Sequence, residues 1–238
     1  MLIRLDKLLC EMGFGSRSDV KSAIKKGSVT VNEEKVSKPD IKIDTDKDHV
    51  KFMGEVVSYS KYEYYMFHKP AGCVSATKDK RDKTVLDYFK GQSSKELFPV
   101  GRLDKDTEGL LIITNDGELA HALLSPKKHV AKTYYAELDG RITEDAVKIF
   151  AEGVDIGDDK ATLPAKLEII ESGEGSKANI TIVEGRYHQV KRMFSAVGCK
   201  VLYLKRLSMG GVWLDDSLTK GKFRPLSEDE LMKLKKNE

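Results

Sequence analysis

Residues 101–110 read GRLDKDTEGL, a glycine-framed and charge-dense segment that leads directly into the apolar run LLIIT at 110–114. Aliphatic and β-branched residues in such a run are typical of a buried strand, whereas Gly101 and Gly109 are typical of a loop. Loops held at the end of a rigid strand commonly present reactive side chains. The pattern therefore predicts a functional loop followed by a core strand.

Three carboxylates alternate in this loop, at Asp104, Asp106 and Glu108. With Gly109 they match the first half of a calcium-binding EF-hand loop. The twelfth position is Asn115, however, which cannot supply the bidentate carboxylate of that site. The strand-like flank also differs from the helices that frame an EF-hand. We therefore expect no calcium here, and we expect Asp106 and Glu108 in a solvated turn.

The composition limits the class of protein. The chain has 238 residues, of which 40% are apolar and 33% are charged, and its length suits one large domain or a small domain joined to a medium one. No apolar run approaches the roughly 20 residues that span a bilayer, and the first residues are too charged for a signal peptide. Three widely spaced cysteines indicate reduced thiols, and the histidines lack metal-ligand spacing. We expect a cytoplasmic protein with no membrane association and no metal.

The positive charge is concentrated at the N-terminus. Residues 1–42 hold nine Lys and Arg against six Asp and Glu, a net charge of +3, which equals the net charge of the whole chain. The remaining residues are therefore neutral in sum. This asymmetry predicts a separate, small basic unit, as nucleic-acid-binding domains often are.

Within this unit the spacing predicts two helices and a hairpin. Leu5, Leu8, Leu9 and Met12 follow a helical period, and Ser16 with Asp19 forms a capping-box pattern before a second helix. A strand, a turn and a strand follow over 29–36. The second helix has a cationic face that consists of Arg17, Lys21, Lys25 and Lys26. Such a face is either solvated surface or a phosphate-binding surface.

The rest of the chain mixes strands and helices without regular alternation, which favours an α+β fold with a mostly antiparallel sheet. Strands are predicted at 64–67, 166–171 and 177–183, and helices at 118–124, 144–151, 189–197 and 228–235. The polar stretch after residue 44 predicts a linker, although a strand is expected near 50–57. The predicted organisation is therefore a domain at 1–46, a linker at 47–62 and a second domain at 63–238.

The loop at 101–110 resembles the catalytic-loop motif of pseudouridine synthases, which isomerise uridine within folded RNA. Three further segments resemble the same family: HKPAG at 68–72, KTY at 132–134 and EGRYHQVKRMF at 184–194. With a closing FRPL at 223–226, the resemblance extends over nearly the whole chain. It implies a mostly antiparallel pseudouridine synthase catalytic domain.

The segment 4–43 resembles the small α-L RNA-binding domain that occurs in a small-subunit ribosomal protein and in tyrosyl-tRNA synthetases. In that family the second helix lies against RNA phosphates. The branch of pseudouridine synthases that modifies a single uridine of small-subunit (16S) ribosomal RNA carries such a domain. This resemblance implies RNA contacts by cations of the N-terminal unit, namely Arg4, Arg17, Lys21, Lys25 and Lys26.

The resemblance also implies roles in the catalytic domain. The family's catalytic aspartate corresponds to Asp104 and its active-site tyrosine to Tyr134. Its basic partner corresponds to Lys191, with the adjacent Arg192 as the alternative. Arg102 corresponds to the arginine that fills the gap left by the flipped base. A loop salt bridge of Arg102 with Asp106 or Glu108 is the competing interpretation, as strand packing is for Tyr134.

The last motif carries a compact positive patch, which we expect to contact RNA phosphate. Its members are Arg186, His188, Lys191 and Arg192. Because the implied reaction neither oxidises nor hydrolyses its substrate, no cofactor is expected. Whether the aspartate acts as a nucleophile or as a base in a glycal route stays open.

The function implied is therefore an isomerase that forms one pseudouridine in ribosomal RNA, with a ribosomal RNA partner in an assembling small subunit and a monomeric enzyme. Two alternatives remain: the related branch that acts on large-subunit RNA, and a ribosome-assembly protein that binds RNA without catalysis. A glycoside hydrolase is disfavoured because no second acid is placed to activate water.

Overall fold

The computed structural model describes residues 1–57, 59–93 and 95–236. The chain divides into two compact units. The first comprises Met1–Tyr62 and Phe89–Glu96, and the second comprises Glu63–Tyr88 and Leu97–Glu238. Within the described residues, no helix is long and apolar enough to cross a membrane.

The first unit packs two short helices against short strands. In chain order its elements are β1 (Leu2–Arg4), α1 (Leu5–Glu11), α2 (Arg17–Lys25), β2 (Val29–Val31), β3 (Glu34–Lys35), β4 (Lys42–Asp44), β5 (Val50–Phe52) and β6 (Glu55–Val56). Leu5, Leu8 and Leu9 of α1 are buried together with Val20 and Ile24 of α2. The predicted helical spacing is therefore the spacing of the core-facing residues.

Helix α2 begins with the predicted capping box. The Ser16 hydroxyl accepts a hydrogen bond from the Asp19 amide at 3.3 Å, and the Asp19 carboxylate accepts one from the Ser16 amide at 3.1 Å. These bonds satisfy amides that the first helical turn leaves without partners. The hairpin of β2 and β3 turns through Asn32 and Glu33, both in the left-handed region at φ of 51° and 68°.

The structure differs from the predicted linker at 47–62. Strand β5 pairs with β2 in antiparallel register, with Val29 opposite Phe52, and β6 pairs with β5. Val50 and Val57 are buried in the core of the first unit. The sheet order β3-β2-β5-β6 therefore makes this segment part of the N-terminal unit. The polar residues before residue 49 form a loop between strands. Asp48 stabilises this loop, since its carboxylate accepts hydrogen bonds from the Asn32 side chain and the Asp44 amide.

The second unit is built on one large sheet. In chain order its elements are β7 (Tyr64–Lys69), a 3₁₀ turn (Val85–Phe89), β8 (Phe98–Pro99), β9 (Glu108–Thr114), α3 (Gly117–Leu124), a 3₁₀ turn (Pro126–Lys128), β10 (Lys132–Asp139), α4 (Glu144–Glu152), β11 (Lys166–Glu171), β12 (Gly175–Ile182), α5 (Gln189–Ala196), β13 (Lys200–Met209), β14 (Val212–Trp213), β15 (Phe223–Pro225) and α6 (Glu228–Lys235).

The strand order along this sheet is β11-β12-β10-β13-β9-β7-β15, with β14 added beside β13 and β8 beside β9. In the described part of the chain its pairings are antiparallel except for that of β13 with β9. The predicted α+β fold with a mostly antiparallel sheet is confirmed.

Strand β9 is buried along its whole length and contacts both β7 and β13. It contributes Leu110 and Ile112 to a core that also includes Met66, Leu119 and Leu123. The charged loop at 101–108 therefore ends on a strand that the core holds rigidly. This placement matches the predicted loop and strand.

Gly109 allows β13 to approach β9. Its φ is +105°, and a Cβ at this position would lie 2.2 Å from the Arg206 carbonyl oxygen and 2.6 Å from the Arg206 amide nitrogen. Both atoms belong to backbone and cannot rotate away. The parallel pairing of Arg206 with Gly109 therefore requires glycine at the base of the loop.

We predict that Gly109→Ala destabilises the protein by more than about 3 kcal/mol, because it combines a backbone clash with an unfavourable φ. The measurement is urea unfolding at neutral pH. Gly117→Ala is the matched control, since a Cβ at Gly117 would meet nothing within 4 Å, and its effect should stay below about 1 kcal/mol. Equal stability of the two variants would contradict this account of the strand pairing.

Candidate active site

A buried lysine fixes the backbone of the charged loop from below. Lys69 ends β7 and is fully buried. Its ammonium group donates to the carbonyl oxygens of Thr107 at 2.8 Å, Asp104 at 3.0 Å, Pro70 at 3.1 Å and Lys105 at 3.4 Å. Burial lowers the pKa of Lys69, against the opposing influence of nearby acidic groups. The carbonyl oxygens take the place of the water that the charge has lost.

This lysine lies inside the HKPAG segment but was not among the residues singled out from the sequence. The sequence signal was a lysine at the end of an otherwise apolar strand, directly before Pro70. Lysine is almost never fully buried unless its charge is satisfied, so a lysine in an apolar strand indicates a buried charge with specific acceptors. The loop is fixed further by two hydrogen bonds between the Ser75 hydroxyl and the Leu103 backbone, at 2.9 and 3.0 Å.

Glu108 fixes the other end of the loop. The sequence predicts that this residue is solvated, and the structure corrects that prediction. It is buried, and its carboxylate accepts hydrogen bonds from Lys220 and from the Tyr203 hydroxyl, both at 2.6 Å. Burial tends to raise the pKa of Glu108, but the bonds from Lys220 and Tyr203 outweigh it and lower the pKa. The second turn residue, Asp106, is exposed as predicted but has a charged partner.

Asp104 points its carboxylate towards helix α5. One oxygen lies 3.3 Å from the Lys191 ammonium nitrogen, and the other lies 3.6 Å from His188 Nε2. Lys191 also contacts both carboxylate oxygens of Asp106, at 2.7 and 2.9 Å. One ammonium group therefore bridges two carboxylates of the loop.

This bridge affects the protonation of its members. Burial opposes the charge on Lys191, but the hydrogen bond to Asp106 and the charges of Asp104 and Asp106 outweigh it and raise the pKa of Lys191. The hydrogen bond from Lys191 in turn lowers the pKa of Asp106. The arrangement favours a protonated Lys191 beside an ionised Asp106. In the described residues, no group of three or more His, Cys, Asp or Glu side chains could hold a metal ion.

Arg192, the alternative partner for Asp104, points elsewhere. Its guanidinium group contacts the Asp158 carboxylate, at 2.5 Å for the shortest pair, and donates to the carbonyl oxygens of Ile156 and Tyr187. Lys191 is therefore the cation beside Asp104 in this structure.

Arg186 is also bound within the chain. It donates to the Glu184 carboxylate at 3.1 Å and to the carbonyl oxygens of Lys160 at 2.6 Å and Ala161 at 2.8 Å. With Arg192 it holds the segment 156–161 against the start of α5. The structure thus differs from the expected open phosphate patch, because these two guanidinium groups already have protein partners.

Asp104 lines a cleft with an empty volume of about 470 Å³, which includes space open to solvent. The cleft is lined by side chains from β9's loop, from the sheet and from α5, including Arg102, Asp104, Tyr134, His188, Lys191 and Leu204. Tyr134 is only 8% exposed and lies on the buried face of β10. Three of the motif segments, at 101–110, 132–134 and 184–194, therefore converge on one cavity that has an aromatic wall and a charged end.

Arg102 is the exposed cation of this cleft. It makes no hydrogen bond or ion pair with any residue that the structure describes, so the alternative salt bridge with Asp106 or Glu108 is not formed. An exposed arginine at the mouth of a cleft has its donors available for an anionic or aromatic ligand.

In the N-terminal unit the predicted cations divide into two groups. Arg4 is bound by Asp6, with contacts of 2.8 and 3.0 Å. The cations of α2 and its C-terminus are exposed, and within the described chain they form no ion pair: Arg17, Lys21, Lys25 and Lys26. Arg17, Lys21 and Lys25 are spaced four apart and thus share one face of the helix.

Known protein families match segments in both units of the chain. Residues 63–196 match the RNA pseudouridylate synthase family, and residues 3–50 match the S4 domain. A crystal structure of a pseudouridylate synthase superposes with a TM-score of 0.69 at 40% identity, and the match covers 98% of this chain and 99% of that one. These matches define an RNA-modifying isomerase with an N-terminal RNA-binding domain.

The chain belongs to the RNA pseudouridine synthase family. It is 48% identical over 231 residues to an uncharacterized RNA pseudouridine synthase of Bacillus subtilis, across 96% of this chain and 97% of the relative. It is 40% identical over 236 residues to ribosomal small subunit pseudouridine synthase A of Haemophilus influenzae, across 98% and 100%. The Escherichia coli protein of that name is 38% identical over 230 residues, across 96% and 98%. The predicted family and fold are confirmed.

We predict that Lys69→Met costs about 3 kcal/mol or more of unfolding free energy, because loop carbonyl oxygens lose a buried charged donor. Turnover should fall with it, since the loop backbone carries Asp104. The control is Lys105→Met in the same loop, whose ammonium group is 53% exposed and pairs with Asp82. That substitution should cost less than about 1 kcal/mol. If urea unfolding and turnover are the same for both variants, Lys69 does not fix the loop.

Proposed function

We propose that this enzyme converts one uridine of small-subunit ribosomal RNA to pseudouridine. The observation that carries the proposal is the Asp104 carboxylate, which lies 3.3 Å from Lys191 in a cleft walled by Tyr134. The choice of small-subunit RNA is supported by relatives named ribosomal small subunit pseudouridine synthase A, which align along nearly the entire chain. We further propose that the enzyme acts in the cytoplasm, as a monomer, on an assembling subunit.

The reaction breaks the bond between N1 of uracil and C1′ of ribose, turns the base and joins C5 to C1′. The proton lost from C5 is balanced by one gained at N1, so no oxidant, reductant or water is consumed. Asp104 acts at the sugar, either as a nucleophile at C1′ or as a base in a glycal route. The Lys191 ammonium group, 3.3 Å from one Asp104 oxygen, fixes the direction in which that carboxylate points.

The target base reaches this carboxylate only when it leaves its stack, which costs a few kcal/mol. Tyr134 offsets part of that cost by contact with the flipped uracil, because stacking of a base on an aromatic side chain contributes about 1–3 kcal/mol. Arg102 takes the place that the base vacates. Its lack of partners among the described residues suits this role, since no salt bridge must be broken first.

The N-terminal unit supplies affinity through phosphate contacts. The cations of α2 that share one helix face, Arg17, Lys21 and Lys25, are exposed and suit this contact. Contacts of this kind position an enzyme on RNA without reading its sequence. They also make binding weaker at higher salt.

Carbodiimide mapping of ribosomal RNA from cells with and without the gene tests the proposed substrate. We expect one pseudouridine of small-subunit RNA to disappear in the deletion strain and to return with the wild-type gene. Loss of a large-subunit pseudouridine would assign the enzyme to the other branch. An unchanged map of both RNAs would leave only the RNA-binding role.

We predict that Asp104→Asn lowers single-turnover pseudouridine formation by more than about 1,000-fold, because the amide is neither a nucleophile nor a base. RNA affinity should stay within a few-fold of wild type. Asp106→Asn is the matched control, since Asp106 binds the same lysine but is 72% exposed, and it should keep turnover within about tenfold. The reverse order of the two defects would mean that the catalytic carboxylate is Asp106.

A further inference from the structure

An exposed aromatic ring stands beside the cleft. Tyr187 is 75% exposed and directly precedes His188, which lines the cleft. The two rings are stacked, with centroids 3.9 Å apart and planes inclined by 18°. His188 Nε2 lies 3.6 Å from Asp104. The stack therefore extends outward from the catalytic carboxylate and ends in an aromatic ring that is largely open to solvent.

The backbone beneath this stack is held in an unusual conformation. His188 lies in the left-handed region, at φ 49° and ψ 31°, which is uncommon for a residue with a side chain. Such strain persists where neighbouring contacts fix it, and it clusters at functional sites. Arg192 donates to the Tyr187 carbonyl oxygen at 3.2 Å, and the Gln189 side chain accepts from the Arg186 amide at 2.9 Å.

A single exposed tyrosine is ordinary on a protein surface. This one differs in three respects: its ring is stacked on a cleft-lining side chain, the backbone of the adjacent His188 is in the left-handed region, and that same His188 lies 3.6 Å from Asp104. A ring that served only the core would be buried, and one that only faced solvent would not need this support. The arrangement suits a flat aromatic ligand that continues the stack.

We propose that Tyr187 and His188, the latter in the left-handed region, form a stacking subsite for the nucleobase that flanks the target uridine in the RNA strand, an inference that rests on the proposed function. When the uridine enters the cleft, its two phosphates lead the neighbouring nucleotides past the cleft mouth. A neighbour that has lost its stacking partner gains a new one on Tyr187. Because stacking strength grows with the ring system, purine flanks should bind more tightly than pyrimidine flanks.

The test uses a single-stranded RNA decamer with one central uridine and 2-aminopurine on both sides of it. Stacking of 2-aminopurine on an aromatic ring quenches its fluorescence. Wild type and Tyr187→Phe should quench the probe on binding, whereas Tyr187→Ala should not. The dissociation constant of Tyr187→Ala should be roughly 5- to 150-fold higher. In a decamer with 2-aminopurine four nucleotides from the uridine, the quenching on binding should not depend on residue 187.

A competitor decamer with abasic flanks separates stacking from a general effect of the substitution. The dissociation constant of this competitor should be the same for wild type and Tyr187→Ala. Thermal unfolding should show that both proteins are folded. Unaltered affinity and quenching in Tyr187→Ala would overturn the subsite. A defect of the same size on the abasic decamer would also overturn it, because the tyrosine would then support the fold instead. Binding requires no turnover, so failure of the proposed reaction appears separately, as absence of pseudouridine formation by wild type.

Discussion

The whole candidate site depends on one buried charge, the Lys69 ammonium group beneath the loop at 101–108. A lysine removed from water must find replacement acceptors, and here these are backbone carbonyl oxygens, among them those of Asp104 and Thr107. Backbone that serves a buried cation cannot move away without leaving it unsatisfied. The main chain of the loop that carries the carboxylates is therefore fixed directly, in addition to the contacts that the Glu108 side chain makes at the other end of the loop. Catalytic groups held in this way keep their geometry without reorganisation during the reaction.

A second lysine has the complementary task above the loop. Lys191 approaches from α5 and binds the carboxylates of Asp104 and Asp106, while Arg192, its neighbour, turns towards Asp158. Helix α5 can present a cation at this point because its first turn is tied to the 156–161 segment. Lys69 thus fixes the backbone of the loop, and Lys191 supplies positive charge beside its carboxylates. Together the two lysines bring positive charge to a loop that carries several carboxylates, which offsets the repulsion among those carboxylates.

Much of the fold could be predicted from sequence where the signal is local. The Ser16 capping box and the leucine spacing of α1 depend on neighbours within four residues, and the sequence predicts both. Strand β5 could not be placed in its sheet, since the pairing of Val29 with Phe52 joins segments that no local pattern connects. Glu108 was expected in water because its partners, Tyr203 and Lys220, lie about a hundred residues further along the chain.

In the candidate site the same distinction applies. The family motifs identify Asp104, Tyr134 and Lys191 because each stands in a recognisable run of residues, and the structure brings the three to one cleft. The partners of Arg186 and Arg192 depend on how the 156–161 segment folds back, which no motif encodes. The sequence predicts no role for Lys69, because a charged residue in a strand usually lies on the protein surface. Sequence thus identifies the chemical groups, whereas only the fold shows which of them are already engaged.

The most direct test of the account is the structure of the enzyme bound to an RNA that contains its target uridine. We expect C1′ of that uridine about 3–3.5 Å from an Asp104 carboxylate oxygen, with the base against Tyr134 and the loop carbonyl oxygens still bound to Lys69. A uridine bound in the cleft with its ribose turned away from Asp104 would contradict the central claim that this fixed carboxylate acts at the sugar.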